Sequence, residues 1–163
     1  MNGLLRFLHW TGFSIWLGAQ LTFMVWVPVS KTATLEAWAH VWSTLAKVQR
    51  WVVAPSVMVA TLTGFVLTMQ LMARQKDVGG AAWLIGMQAF GILAAILALA
   101  IVSPLVNRMG WVAEQSLADG AKDPRAERVR TRLAIIGTVT IVFILAATYF
   151  GAMSPPIGGG GGQ

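Results

Sequence analysis

The chain has no cysteine, and that absence alone removes disulfides, thiolate nucleophiles, iron–sulfur clusters and Cys-ligated zinc. Charge is scarce as well. Only 11% of the 163 residues are Asp, Glu, Lys or Arg, against about 25% in an average soluble domain. The acids are scarcest: Glu36, Asp77, Glu114, Asp119, Asp123 and Glu127 make up the whole set, and each falls between the apolar runs. Ion pumps and proton relays hold carboxylates at membrane depth, and hydrolases that use carboxylate pairs need them in one site. Both classes lack their minimum side chains here. HExxH, Walker-type and GxGxxG patterns are missing too, so metalloprotease and nucleotide-binding readings have nothing to stand on.

What the chain has is apolar length. Hydrophobic residues make up 56% of it, mean hydropathy is +0.68, and the apolar residues gather in four runs. Each run is near the roughly 20 residues with which a helix crosses a bilayer. The expected fold class is all-α, an integral membrane four-helix bundle with spans at 4–27, 52–72, 81–102 and 133–153. The first run lacks the small-residue cleavage site of a removable signal, so it reads as a retained helix. Gly79 and Gly80 mark a turn before the third run, Pro104 is expected to end it, and Ser154, Pro155 and Pro156 stop the fourth.

Two polar stretches separate the runs on one side. In 34–50, Leu35, Trp38, Trp42 and Leu45 recur at three- and four-residue steps, with Thr32 or Thr34 as a cap and Glu36 in the first turn. That pattern predicts an amphipathic helix lying along the interface and turning into the membrane near Pro55. The stretch 103–132 reads as a basic loop. It opens with a short interfacial helix through Leu105, Met109 and Val112 that carries Trp111, and it is broken at Asp119, Gly120, Asp123 and Pro124. The tail, 154–163, is Pro/Gly-rich, and its run from Gly158 to Gly162 has no side chains with which to pack.

Basic residues set the expected topology. Lys31, Lys47, Arg50, Arg108, Lys122, Arg125, Arg128, Arg130 and Arg132 are nine on one side, and Arg6, Arg74 and Lys76 are three on the other. Positive-inside bias then places both termini away from the cytoplasm. Trp10 and Trp83 mark one interface, and Trp26, Trp51 and Trp111 the other. The net charge of +6 is thereby explained by loop bias, with no nucleic acid partner. The expected partners are the lipid bilayer, in a bacterial inner membrane, and other membrane subunits.

Chemistry within the spans rests on one imidazole. His9 is the only strong metal or haem ligand there, and Gly12 and Trp16 share its helix face at three- and seven-residue steps. That face has two readings: Gly12 leaves room for a flat macrocycle on which Trp16 stacks, or Gly12 permits close helix contact while His9 bonds a neighbouring helix. His40 lies beyond Pro28 on the other side, at least roughly 28 Å of helix away, and joins no common site. Ala60 with Gly64, Ala82 with Gly86 and Ala147 with Gly151 form small-xxx-small pairs, suited to tight packing within a bundle or between subunits. Lys47 and Arg50 put cations near the inner mouth, where propionates or anionic head groups would meet them.

Two segments, LHWTGFSIWLGAQLTF and LAKVQRWVVAPSVMVATLTGFVL, resemble the HemJ-type protoporphyrinogen oxidases and the related CopD-like family, over roughly the first 70 residues. The resemblance implies a haem-ligand role for His9 and places Lys47, Arg50, Pro55 and Gly64 at matching positions. The oxidases carry a histidine and a lysine at the start of their third helix; this chain reads AAWLIGMQAFGIL there, with Ile85 and Met87 near those places. Met87 is then the candidate second axial ligand to haem b or another tetrapyrrole. Three functions follow as expectations. The first is a non-catalytic subunit or assembly partner of a larger membrane complex, respiratory or photosynthetic, packing through small-residue faces. The second is tetrapyrrole binding, with HemJ-like oxidase activity if the chain is an enzyme at all. The third is CopD-like transport of a small solute or copper.

Overall fold

The structure is a computed structural model and describes residues 3–74 and 81–154. The Gly79–Gly80 turn, Lys76, Asp77 and the glycine-rich tail lie outside the described residues. Helix α1 covers Gly3–Val29; α2, Leu35–Val48; α3, Ala54–Arg74; α4, Ala82–Ile96; α5, Ser103–Ala118; and α6, Arg125–Ala152. Four helical rods result, Gly3–Val29, Leu35–Arg74, Ala82–Ala118 and Arg125–Ala152, each long and apolar enough to cross a membrane. Among the described residues the fold is all-helical with four helices of spanning length, as the apolar runs dictate.

The rods differ from expectation where two of them run on. No break separates the stretch 34–50 from the second run: α2 continues through a widened turn, Gln49–Val53, directly into α3, and the helix is 40 residues long. Nor does Pro104 end the third span, because α4 passes through a second widened turn, Leu97–Val102, into α5. The basic loop is therefore a helix, a tight turn and the start of α6. In both places the ladder opens to a five-residue step, Ala54 N–H donating to Gln49 O and Ser103 N–H to Ala98 O. A proline follows at once in each case, Pro55 or Pro104. Proline has no N–H to give to the preceding turn, and a π-turn placed just before it rearranges the ladder so that the helix goes on.

Caps close the loops at this end, which carries most of the basic residues and is called the basic end below. Thr34 Oγ1 accepts from Ala37 N–H at 3.3 Å, with Glu36 in the first turn of α2. Helix α5 stops at Gly120, whose φ of +70° suits a residue without Cβ. Asp123 Oδ1 accepts from Arg125 N–H at 2.7 Å, and Ser116 Oγ accepts from Asp123 N–H at 3.0 Å.

Packing pairs α1 with α3, α4 with α6, α1 with α6 and α2 with α5, so α1 and α4 stand across the bundle from each other. The amphipathic stripe of α2 faces α5. Trp38, Ala39 and Trp42 bury against Val106, Met109, Val112 and Ala113, with Phe23 and Val27 of α1 and Val129 and Leu133 of α6 closing the cluster. This is what the stripe does: packed against α5, the two indoles withdraw more apolar area from water than they would lying at a wet interface. A second cluster, Trp16, Val53, Val57, Ala94, Ala95, Ala98 and Ile144, fills the bundle beyond the widened turns.

Candidate functional site

At the end away from the basic loops, α1 closes on α3 through two glycines. A Cβ on Gly12 would stand 2.8 Å from Ser56 O and 3.1 Å from Ala60 N, so the two backbones touch there. One turn of α3 further, a Cβ on Gly64 would stand 2.8 Å from His9 Cε1: the imidazole rests in the space that this glycine leaves. His9 Nδ1 lies 2.8 Å from Ala60 O. A carbonyl can only accept, so in this bond Nδ1 carries the proton and the ring is held as one tautomer. The ring is half-buried, edge-on to Trp10 at 6.3 Å between centroids. His9 thus fastens α1 to α3.

The other residues expected around a tetrapyrrole are placed elsewhere. The gap expected beside Gly12 is filled by the backbone of α3, which corrects the macrocycle reading of that glycine. Trp16, 4% exposed, is packed into the second cluster with Val53 and Val57, so its ring face is not open for stacking. Met87 Sδ comes within 3.3 Å of where a Cβ on Gly151 would be, and it therefore faces α6, whereas His9 faces α3. The two are not brought together. Lys47 and Arg50 are exposed on α2 and the first widened turn; Arg50 is ten residues before Ala60, about 15 Å along a helix. Of the residues proposed to hold a haem, only His9 has the right chemistry in an oriented ring. The slot, the second ligand and the nearby cations that the group needs are not assembled around it.

Five of the six residues in the small-residue pairs are used within the chain. Ala60 and Gly64 receive α1, Gly86 receives the ring of Phe150, and Gly151 receives Met87, while Ala147 is buried on α6 and Ala82 is exposed at the start of α4. Gln88 Nε2 donates to Thr68 Oγ1 between α4 and α3.

The widened turns form a second polar locus that residue pattern does not single out. Gln49, 1% exposed, donates Nε2 to Ser103 Oγ at 2.7 Å, so the two π-turns are joined side chain to side chain. Its Oε1 is buried without a partner, as are the Nε1 atoms of Trp16, Trp26 and Trp42 and Oδ1 of Asn107. Gln20 is 2% exposed. The one signal in the sequence is a glutamine six residues ahead of Pro55, between Lys47 and Arg50 at the edge of an apolar run.

At the basic end Arg130 is buried and pairs with exposed Glu127, Nε donating to Oε2 at 2.9 Å. Lys122 Nζ donates to Ala33 O at 2.8 Å and stands 5.7 Å from the centre of the Trp38 ring, tying the two loops together. His40 is exposed on α2. Among the described residues no three His, Asp or Glu side chains gather to hold a metal ion. Comparisons with protein families, with curated proteins and with solved structures find no match to this chain.

Proposed function

We propose that the chain is a non-catalytic integral membrane protein that works by association, as a subunit or assembly partner of a larger membrane complex. The observation that supports this is the use made of His9. The imidazole of α1 gives its Nδ1–H to Ala60 O across a glycine cradle, and the rest of a tetrapyrrole site is not gathered around it. Because the small-residue faces are already filled inside the bundle, a partner meets other surfaces. Those are the exposed apolar side chains of the spans, such as Leu62, Phe65 and Leu145, and the tryptophans Trp51 and Trp111 near the basic end. The orientation proposed is the one that the basic residues favour, with the basic end toward the cytoplasm of a bacterium and both termini on the opposite side.

Extraction in a mild detergent tests the proposal. The protein is expected to be colourless in a reduced-minus-oxidised spectrum and to migrate on a native gel in an assembly of fixed composition larger than one chain. His9→Ala is expected to leave that migration unchanged. A Soret band that vanishes in His9→Ala, or a chain that runs only as a monomer, overturns the proposal.

A further inference from the structure

Between α1 and α6, on the basic side of the bundle, lies a crevice of about 90 Å³ walled by Gln20, Phe23, Trp42, Val106, Leu133 and Gly137. Its walls are almost wholly apolar and include no charged side chain. Two of its residues nevertheless carry unspent hydrogen-bonding groups. Gln20 is 2% exposed and its side-chain amide makes no hydrogen bond to a described residue, and Trp42 is fully buried with no partner for Nε1. Thr138, also at the crevice, has its hydroxyl committed to Ala134 O at 2.8 Å. A buried amide left unpaired costs free energy that a ligand recovers by pairing with it. Water gains little beyond these two groups, because the rest of the wall is almost wholly apolar. An ion finds no opposite charge.

The remaining chemistry is a neutral molecule, apolar over most of its surface, with a hydrogen-bonding head. Phe23 and Trp42 put aromatic side chains at the crevice, which favours a flat head. Met24, 42% exposed, shares the lining, so the mouth opens among side chains that face lipid. At Gly137 nothing lies within 4 Å of where a Cβ would be, which leaves that wall open. From these features we propose that the crevice binds the carbonyl-bearing ring of a neutral, lipid-soluble compound of the quinone type, whose carbonyl accepts from the Gln20 amide while its tail stays in the bilayer. This site is independent of His9 and of the association role.

The test uses the full chain in phosphatidylcholine nanodiscs, with decylubiquinone as probe and decylbenzene as the carbonyl-free control, read by equilibrium binding. The wild type is expected to bind decylubiquinone saturably, one per chain, and decylbenzene at least tenfold more weakly. Gln20→Leu, which keeps the bulk and removes the unpaired amide, is expected to weaken decylubiquinone about tenfold, the scale of one hydrogen bond, and to leave decylbenzene unchanged. Gly137→Leu fills the crevice and is expected to abolish saturable binding of both. Three results overturn the proposal: non-saturable partition alike in all three proteins, equal affinity for both probes, or decylubiquinone binding untouched by Gln20→Leu.

Discussion

The two ends of the bundle are held together by different means. At the basic end, large side chains meet: Trp38, Trp42 and Met109 are almost wholly buried, and they fill the space between α2, α5 and the start of α6. Away from it, small residues meet. Gly12 and Gly64 let α1 and α3 touch, Gly86 and Gly151 let α4 and α6 interlock, and the large apolar side chains, Phe7, Leu62 and Phe65 among them, point outward. The change comes near the widened turns at Gln49–Val53 and Leu97–Val102. Where helices leave lipid, burying an indole removes it from water and is strongly favourable. Within lipid the tails are as apolar as leucine, so close approach of backbones is what holds helices together. One pair of continuous rods obeys both rules along its length.

Substitutions can break or sharpen this contrast. Trp42→Ala, at a fully buried indole, is expected to cost about 3 to 5 kcal/mol, measured by reversible unfolding in bicelles, and to loosen α2 from α5 while the spans stay helical. Gly12→Ala should cost about 1 to 3 kcal/mol, since the new methyl meets the carbonyl of Ser56 and the backbone nitrogen of Ala60 rather than movable side chains. Gly18 in the same helix has nothing within 4 Å of where a Cβ would stand; Gly18→Ala should be neutral or stabilise by up to about 1 kcal/mol, as helix propensity directs. A similar cost at both glycines would mean that close approach is not what α1 supplies. Gly64→Ala meets only the His9 ring, a side chain that can shift, and should cost less than Gly12→Ala; the cost should fall further once His9 is also alanine, with a coupling of about 0.5 kcal/mol or more in a double-mutant cycle. No coupling would separate the histidine from its cradle.

The spans could be read from the sequence because apolar length is a one-dimensional property: each apolar run falls almost wholly within one helix long and apolar enough to cross a membrane, although two of those helices run on well past it. The Thr34 cap was legible for the same reason, being local. The packing of α2 against α5 was not. The stripe Leu35, Trp38, Trp42, Leu45 fits a lipid interface and a partner helix equally, and only the presence of α5 beside it decides. Pro55 and Pro104 misled in the same way, since a proline signals a break, and the π-turn that absorbs it is invisible to pattern. For His9, residue type and spacing left both readings standing. What pattern could not supply is Gly64, 55 residues away, whose missing side chain seats the ring.

The most direct test is the unfolding free energy of His9→Ala in bicelles, recorded beside the visible spectrum of the same samples. An interhelical hydrogen bond in a membrane averages about 0.6 kcal/mol, so a loss of that order with no change in a featureless visible spectrum agrees with a histidine that fastens α1 to α3. A loss above about 2 kcal/mol, or a visible band that disappears with the imidazole, contradicts it.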